Sequence, residues 1–209
     1  MLILSHRGYW KTAAEKNAPA AFARSFHLGF GTETDLRDLA GRLVVAHDPA
    51  GADALPAEVL FGIYHGVGAD VPLALNVKAD GLHKLLPPLL ERFAVTNYFV
   101  FDMSVPDALG WLKLGVPTFT RHSDIEQHPP YYARAAGVWL DAFGSDWWTP
   151  DTIQRHLDAG KSVCVVSPDL HGRDPRSVWD ALAASDVRTH PKLMLCTDRP
   201  EDAKAVLHG

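Results

Sequence analysis

Cysteine, basic excess and long apolar runs are all scarce in this sequence, and each shortage removes a class of protein. Only two of the 209 residues are cysteine, Cys164 and Cys196, each inside an apolar run. Thiols so placed read as buried and reduced, so no disulfide framework is expected and the cytoplasm is the expected compartment. Lys and Arg number 20 against 25 Asp and Glu, a formal net charge of −5. Nucleic acid is therefore not an expected partner. No apolar run approaches the roughly 18 residues of a membrane span, and no basic amphipathic run predicts stable membrane association. The opening MLILSHRGYW turns polar too soon for a signal peptide. Gly/Ser-rich linkers and low-complexity tracts are missing as well, which predicts one domain over residues 1–209. The oligomeric state is left open.

Short apolar runs alternate with segments of helical period. Strands are expected at 2–5, 31–36, 73–78, 98–102, 118–121, 138–141, 162–166 and 192–196. Helices are expected at 19–28, 82–93, 105–114, 150–159, 176–184 and 200–207, with Ser104, Thr149 and Asp198 as start signals. Gly29, Gly115 and Gly160 fall where helices should stop. Eight strand-then-helix units predict parallel strands closed into a (β/α)8 TIM barrel. An open doubly wound sheet would carry a Gly-rich first turn, and the first turn here, HRGYWKTAAEKN, has one glycine. Residues 37–48 break the rhythm as an irregular hairpin ending at His47-Asp48. The poorly periodic 55–67 and the proline-broken IEQHPPYYARAA are the least defined stretches.

In such barrels chemistry gathers at the carboxyl ends of the strands. Those ends carry His6 and Arg7, Glu33 and Asp35, His47 after the hairpin, and Asn76 and Lys78. Side chains two apart on a strand share a face, so Glu33 and Asp35 pair, as do Asn76 and Lys78. Carboxylate and amide oxygens beside cations suit Mg2+ or Ca2+ and not zinc. Arg121 and Asp141, ending two later strands, are further candidates for the mouth. His27, His83 and His156 fall on helices and read as exposed or structural. Trp147-Trp148 reads as a pair packed on the rim, Asp198-Arg199 as a helix cap with its packing partner, and Asp169 to His171 as a loop with no evident partner.

Taken together, HRG at 6–8, EKNAPAAF at 15–22, GTETDL at 31–36, VVAHDP at 44–49, LNVK at 75–78 and TDRP at 197–200 resemble the glycerophosphodiester phosphodiesterases. These belong to the phosphatidylinositol-phospholipase-C-like barrels. The resemblance is dense over residues 5–78 and touches the last strand. It implies a metal-assisted phosphodiesterase acting on a small-molecule phosphodiester. It matches His6 and His47 to an acid–base pair, Arg7 and Lys78 to phosphate-binding cations, and Glu33 and Asp35 to metal ligands. Such a set suits a phosphodiester, whose transition-state charge needs cations and whose leaving alcohol needs a proton.

The sequence departs from that family at three points. Asn76 stands where the family has a third acidic ligand, so a cation would bind weakly. Lys16, in Glu15-Lys16-Asn17-Ala18, stands at an acidic position. Glu15 could compensate by a one-residue shift, or Lys16 could supply part of the metal's charge or meet a second anionic group on the substrate. Only 49–71 separates His47-Asp48 from the next strand, where the family commonly inserts a longer pocket-walling segment. A compact barrel with a shallow site follows, unless Trp10, Tyr64 or 129–132 covers it. Two other functions are therefore carried: a phosphate-ligand-binding barrel with weakened catalysis, and a lipid phosphodiesterase of the same superfamily.

Overall fold

The computed structural model describes residues 1–209. Ten strands form: β1 (Leu2–His6), β2 (Gly31–Leu39), β3 (Arg42–Val45), β4 (Leu55–Pro56), β5 (Leu73–Val77), β6 (Tyr98–Phe101), β7 (Phe119–His122), β8 (Gly137–Leu140), β9 (Ser162–Val166) and β10 (Leu193–Thr197). Seven α-helices accompany them: α1 (Pro19–His27), α2 (Ala57–Val67), α3 (Leu86–Arg92), α4 (Val105–Lys113), α5 (Pro150–Asp158), α6 (Arg176–Ala183) and α7 (Pro200–His208). Eight strands are mutually parallel, and β1 pairs with both β2 and β10. Between β6 and β7 the ring is joined by a single parallel bridge, Val100 to Thr118. The result is the expected (β/α)8 barrel.

Alternation along each strand divides inside from outside. Ile3, Leu75, Val100, Val138, Val163 and Leu195 face the helices, while Leu4, Ala74, Phe99, Trp139, Cys164 and Cys196 fill the barrel. Aromatic rings plug the interior: Phe99 stacks on Phe119 at 3.8 Å and Phe101 on Trp139 at 3.9 Å. Gly137 makes room for this plug, because a Cβ there would sit 2.4 Å from the Phe119 ring. Higher up the same inward rows become polar, which raises the site on a packed floor.

Helix starts follow local chemistry. Ser104 Oγ accepts the Asp107 amide at 3.3 Å, and the Thr149 amide donates to Thr152 Oγ1 at 3.4 Å. Four expectations change. The helix expected over 82–93 divides into a 3-10 turn, Leu82–Lys84, and α3, because Pro87 and Pro88 lack the amide donors that would continue one helix through them. No helix follows β7, so the barrel has seven and not eight: Pro129 and Pro130 lack amide donors and exclude the helical conformation before them. Residues 55–67, weak in period, contain a full helix α2, with Leu60, Phe61 and Tyr64 buried against α1 and the sheet. The segment 37–48 is a regular antiparallel ladder, Leu36 to Leu39 of β2 against β3, turning at Ala40-Gly41 where both φ are positive. It is extended by β4 pairing with β3.

Candidate active site

The carboxyl ends of the strands enclose a cavity of about 310 Å³. Lining it are His6, Arg7, Glu33, Asp35, His47, Asn76, Lys78, Arg121 and Asp141, nine of the ten expected positions. Lys16 is the exception. Its ammonium lies 4.5 Å from the centre of the Trp10 ring, and it borders a neighbouring groove instead. Lys16 therefore does not stand among the inward carboxylates in place of a metal's charge. Glu15 does not compensate either, because its carboxylate pairs with Arg24 at 2.9 Å and accepts the Lys11 amide. Trp10, Tyr64 and 129–132 do not line the cavity, and the His47 side chain is 45% exposed, so the mouth is open.

Strict alternation would turn Arg7 outward after His6, and Asp102 outward after Phe101. Both instead line the cavity, because each takes a left-handed backbone, with φ of 58° and 70°. Such a conformation costs a non-glycine residue about 1–2 kcal/mol, so the surrounding structure must hold it. The Arg7 amide donates to the Glu33 carbonyl at 2.9 Å. Gly8, at φ 76°, lets α1 close in: a Cβ there would sit 2.8 Å from that of Ala21. Asn17, also left-handed, donates to Asp35 Oδ2 at 2.9 Å and accepts from Thr34 Oγ1 at 2.8 Å.

His6 Nδ1 meets Asp198 Oδ1 at 2.7 Å, leaving Nε2 toward Glu33 Oε2 at 3.9 Å. Asp198 is thus not the cap of α7, whose first flanking residue is Arg199. It orients the imidazole, and Asp169 Oδ2 fixes it in turn by accepting the Asp198 amide and the Thr197 hydroxyl, each at 2.8 Å. Asp169 to His171, expected as a loop without partners, form a 3-10 turn, Pro168–His171, and do have partners. His171 Nε2 donates to Asp141 Oδ1 at 2.7 Å across the far wall. His47 Nδ1 meets only the exposed Asp48, at 2.9 Å.

Asp35 is buried and ringed by cations, with Arg7 Nε at 3.2 Å and Lys78 Nζ at 3.5 Å. Lys78 also approaches Asp102 Oδ2 at 4.0 Å, and Asp102 takes a bond from Arg121. Glu33 makes no ion pair with a Lys or Arg; its Oε2 accepts the Arg7 amide at 3.3 Å and faces His6 Nε2 at 3.9 Å. Burial, then the charge of Asp35, pushes its pKa well above the ordinary range despite the pull of Lys78 and Arg7.

A hard cation among Glu33, Asp35 and Asn76 would relieve two strains. It would favour the charged Glu33, and it would meet the Asn76 Oδ1, a buried acceptor with no donor. Asp35 and Asn76 are register partners on adjacent strands. No trio of His, Cys, Asp or Glu gathers in a ligating arrangement, so such an ion would rest on two carboxylates and an amide. The donor set fits Mg2+ or Ca2+ held weakly.

An eight-stranded barrel whose histidines, carboxylates and cations converge at the carboxyl ends of its strands has the layout of a barrel enzyme. No family model matches the chain, and no curated protein matches it. Solved structures do. A protein from Galdieria sulphuraria assigned as a glycerophosphodiester phosphodiesterase is 18% identical, covering 100% of this chain and 98% of its own, with a TM-score of 0.78. The glycerophosphodiester phosphodiesterase of Agrobacterium tumefaciens is 20% identical with full coverage of both chains and a TM-score of 0.70. An Oleispira antarctica phosphodiesterase, solved with its product sn-glycerol 3-phosphate, is 12% identical over 100% of this chain and 97% of its own, with a TM-score of 0.71. The shared fold is that of the family the sequence motifs resemble. No helix is long and apolar enough to cross a membrane.

Proposed function

We propose that the chain hydrolyses a glycerophosphodiester, or a similar small phosphodiester, to an alcohol and a phosphomonoester. The observation that carries this reading is the convergence of His6, Arg7, His47 and Lys78 on one cavity. Arg7 and Lys78 hold the phosphoryl oxygens and stabilise the charge that develops on them. His6, fixed by Asp198 at Nδ1, presents Nε2 to the basin and takes the proton of the attacking water. The water oxygen bonds to phosphorus, the ester P–O bond breaks, and His47 gives its proton to the departing alkoxide. Glu33, Asp35 and Asn76 would hold the divalent cation, which, when bound, supplies further charge stabilisation of the phosphoryl group. The same reading takes residues 1–209 as one barrel domain working in the cytoplasm, which the two buried free thiols support.

The test is release of phosphomonoester from a panel of glycerophosphodiesters, with Mg2+, Ca2+, Mn2+ or chelator. Loss of activity in both His6→Ala and His47→Ala is expected. Activity surviving in both would overturn the mechanism. A second reading, a phosphate-ligand-binding barrel without efficient turnover, is favoured by the amide at Asn76 and by the missing third acidic ligand. Binding of glycerol phosphates without turnover under any metal would establish it.

A further inference from the structure

Beside the basin lies a second groove of about 520 Å³, bounded by the loop before α1 and by the segment after β3. Two residues line both cavities: Arg7, which reaches the phosphate-binding side, and His47. If His47 protonates the leaving oxygen, that oxygen lies within its reach, and the alcohol attached to it points where His47 faces. On one side is the crowded, charge-lined basin. On the other is this larger, open groove.

The charges in the groove are unevenly matched. Arg7 is paired with Asp35, and His47 with Asp48. Lys16 has no carboxylate within ion-pair distance, and its only charge-related contact is the face of Trp10. Resting on an aromatic ring holds the ammonium in place without neutralising it. Asp53, an exposed residue lining the groove, has no ion-pair partner either.

Resting on the hydrolytic reading above, we infer that this groove is the subsite for the leaving alcohol and that Lys16 selects alcohols bearing an anionic group. The ligand class is an alcohol carrying a carboxylate or a phosphate. One that also carries an ammonium, as a serine headgroup does, satisfies Asp53 too. The residue changes which diester is cleaved and takes no part in the proton transfers.

The experiment compares kcat/KM for four diesters that share glycerol phosphate and differ in the leaving alcohol: glycerol (neutral), choline (cationic), serine (zwitterionic) and glycerol phosphate (anionic). Wild type should favour the two with an anionic group. The anionic-to-neutral ratio should fall roughly tenfold in Lys16→Ala, about the weight of one charge-assisted hydrogen bond, and further in Lys16→Glu. Lys16→Arg should restore it, and the change should appear mainly in KM. A ratio that does not move in Lys16→Ala and Lys16→Glu, with wild-type turnover intact, overturns the subsite and leaves the hydrolytic reading standing. If wild type turns over no diester, the hydrolytic reading fails. Calorimetric binding of the same four compounds to wild type and Lys16→Glu then decides the subsite alone.

Discussion

Replacing Asp198 tests the catalytic argument at a residue that never touches the substrate. Its carboxylate meets His6 Nδ1 at 2.7 Å, with both side chains mostly buried, at 16% and 14% exposure. A charge-assisted hydrogen bond so placed contributes about 1.5–3 kcal/mol. If that free energy is spent on holding the imidazole, Asp198→Ala should lower kcat by roughly 10- to 150-fold, with little change in KM. Asp198→Asn should do at least as much damage, although it is nearly isosteric. Its amide can donate to Nδ1, which moves the ring proton to Nε2 and leaves no lone pair facing the basin. The assay is phosphomonoester release across pH at saturating metal, with urea unfolding of each variant to separate catalysis from stability. An Asn variant that keeps kcat within threefold of wild type, folded and metal-replete, would refute the orienting role.

Three further outcomes are expected. Asn76→Glu adds a carboxylate where a buried oxygen now lacks a partner, and should tighten Mn2+ binding at least about tenfold by calorimetry; equal affinity would mean the cation does not sit there. Gly8→Ala forces a side chain into φ 76° against Ala21, and should lower the unfolding free energy by about 1–3 kcal/mol in a urea titration. His156 is buried and neutral, with Tyr132 Oη at 2.8 Å on Nδ1 and His122 Nδ1 at 2.9 Å on Nε2. Burial, then His122 and Arg155, lowers its pKa to about 4 from the ordinary 6.5. The unfolded chain therefore binds the extra proton first, so this stability is complete above pH 6.5 and erodes as pH falls toward 4. After allowance for solvent screening the loss is about 1–2 kcal/mol. His156→Gln should flatten that slope between pH 7 and 5; a variant as pH-sensitive as wild type would disprove it.

Regular elements were readable because their physics is local. Alternation gives the inward rows, and proline, glycine and hydroxyl caps mark helix ends, so the expected ranges fall close to the observed ones. Where period failed, at 55–67, the helix is made by packing of Leu60, Phe61 and Tyr64 on neighbours far along the chain. The candidate site was legible as far as alternation holds. Arg7 was a candidate by its place just past the first strand, but Asp102 follows an inward Phe101, and only a left-handed backbone brings it into the cavity. Asp198 lies 192 residues from His6, and an acidic residue just ahead of a helix start looks like a cap. Its place at the end of the last strand was the available signal. His171 offered none, since its partner Asp141 follows a different strand and lies 30 residues away, with α5 and β9 between them.

The lone bridge between β6 and β7 has a consequence for how the ring comes apart. Outside the barrel the apolar packing divides into two groups, one over β2, β5 and β6 with α1 to α4, the other over β8, β9 and β10 with α5 to α7. β7 stands at their border, with no helix of its own to cover it. The fold is thus two half-barrels sharing a weak hem. Amide exchange should loosen β7 first, and Arg121, carried on that strand, would be the first wall residue of the basin to be released.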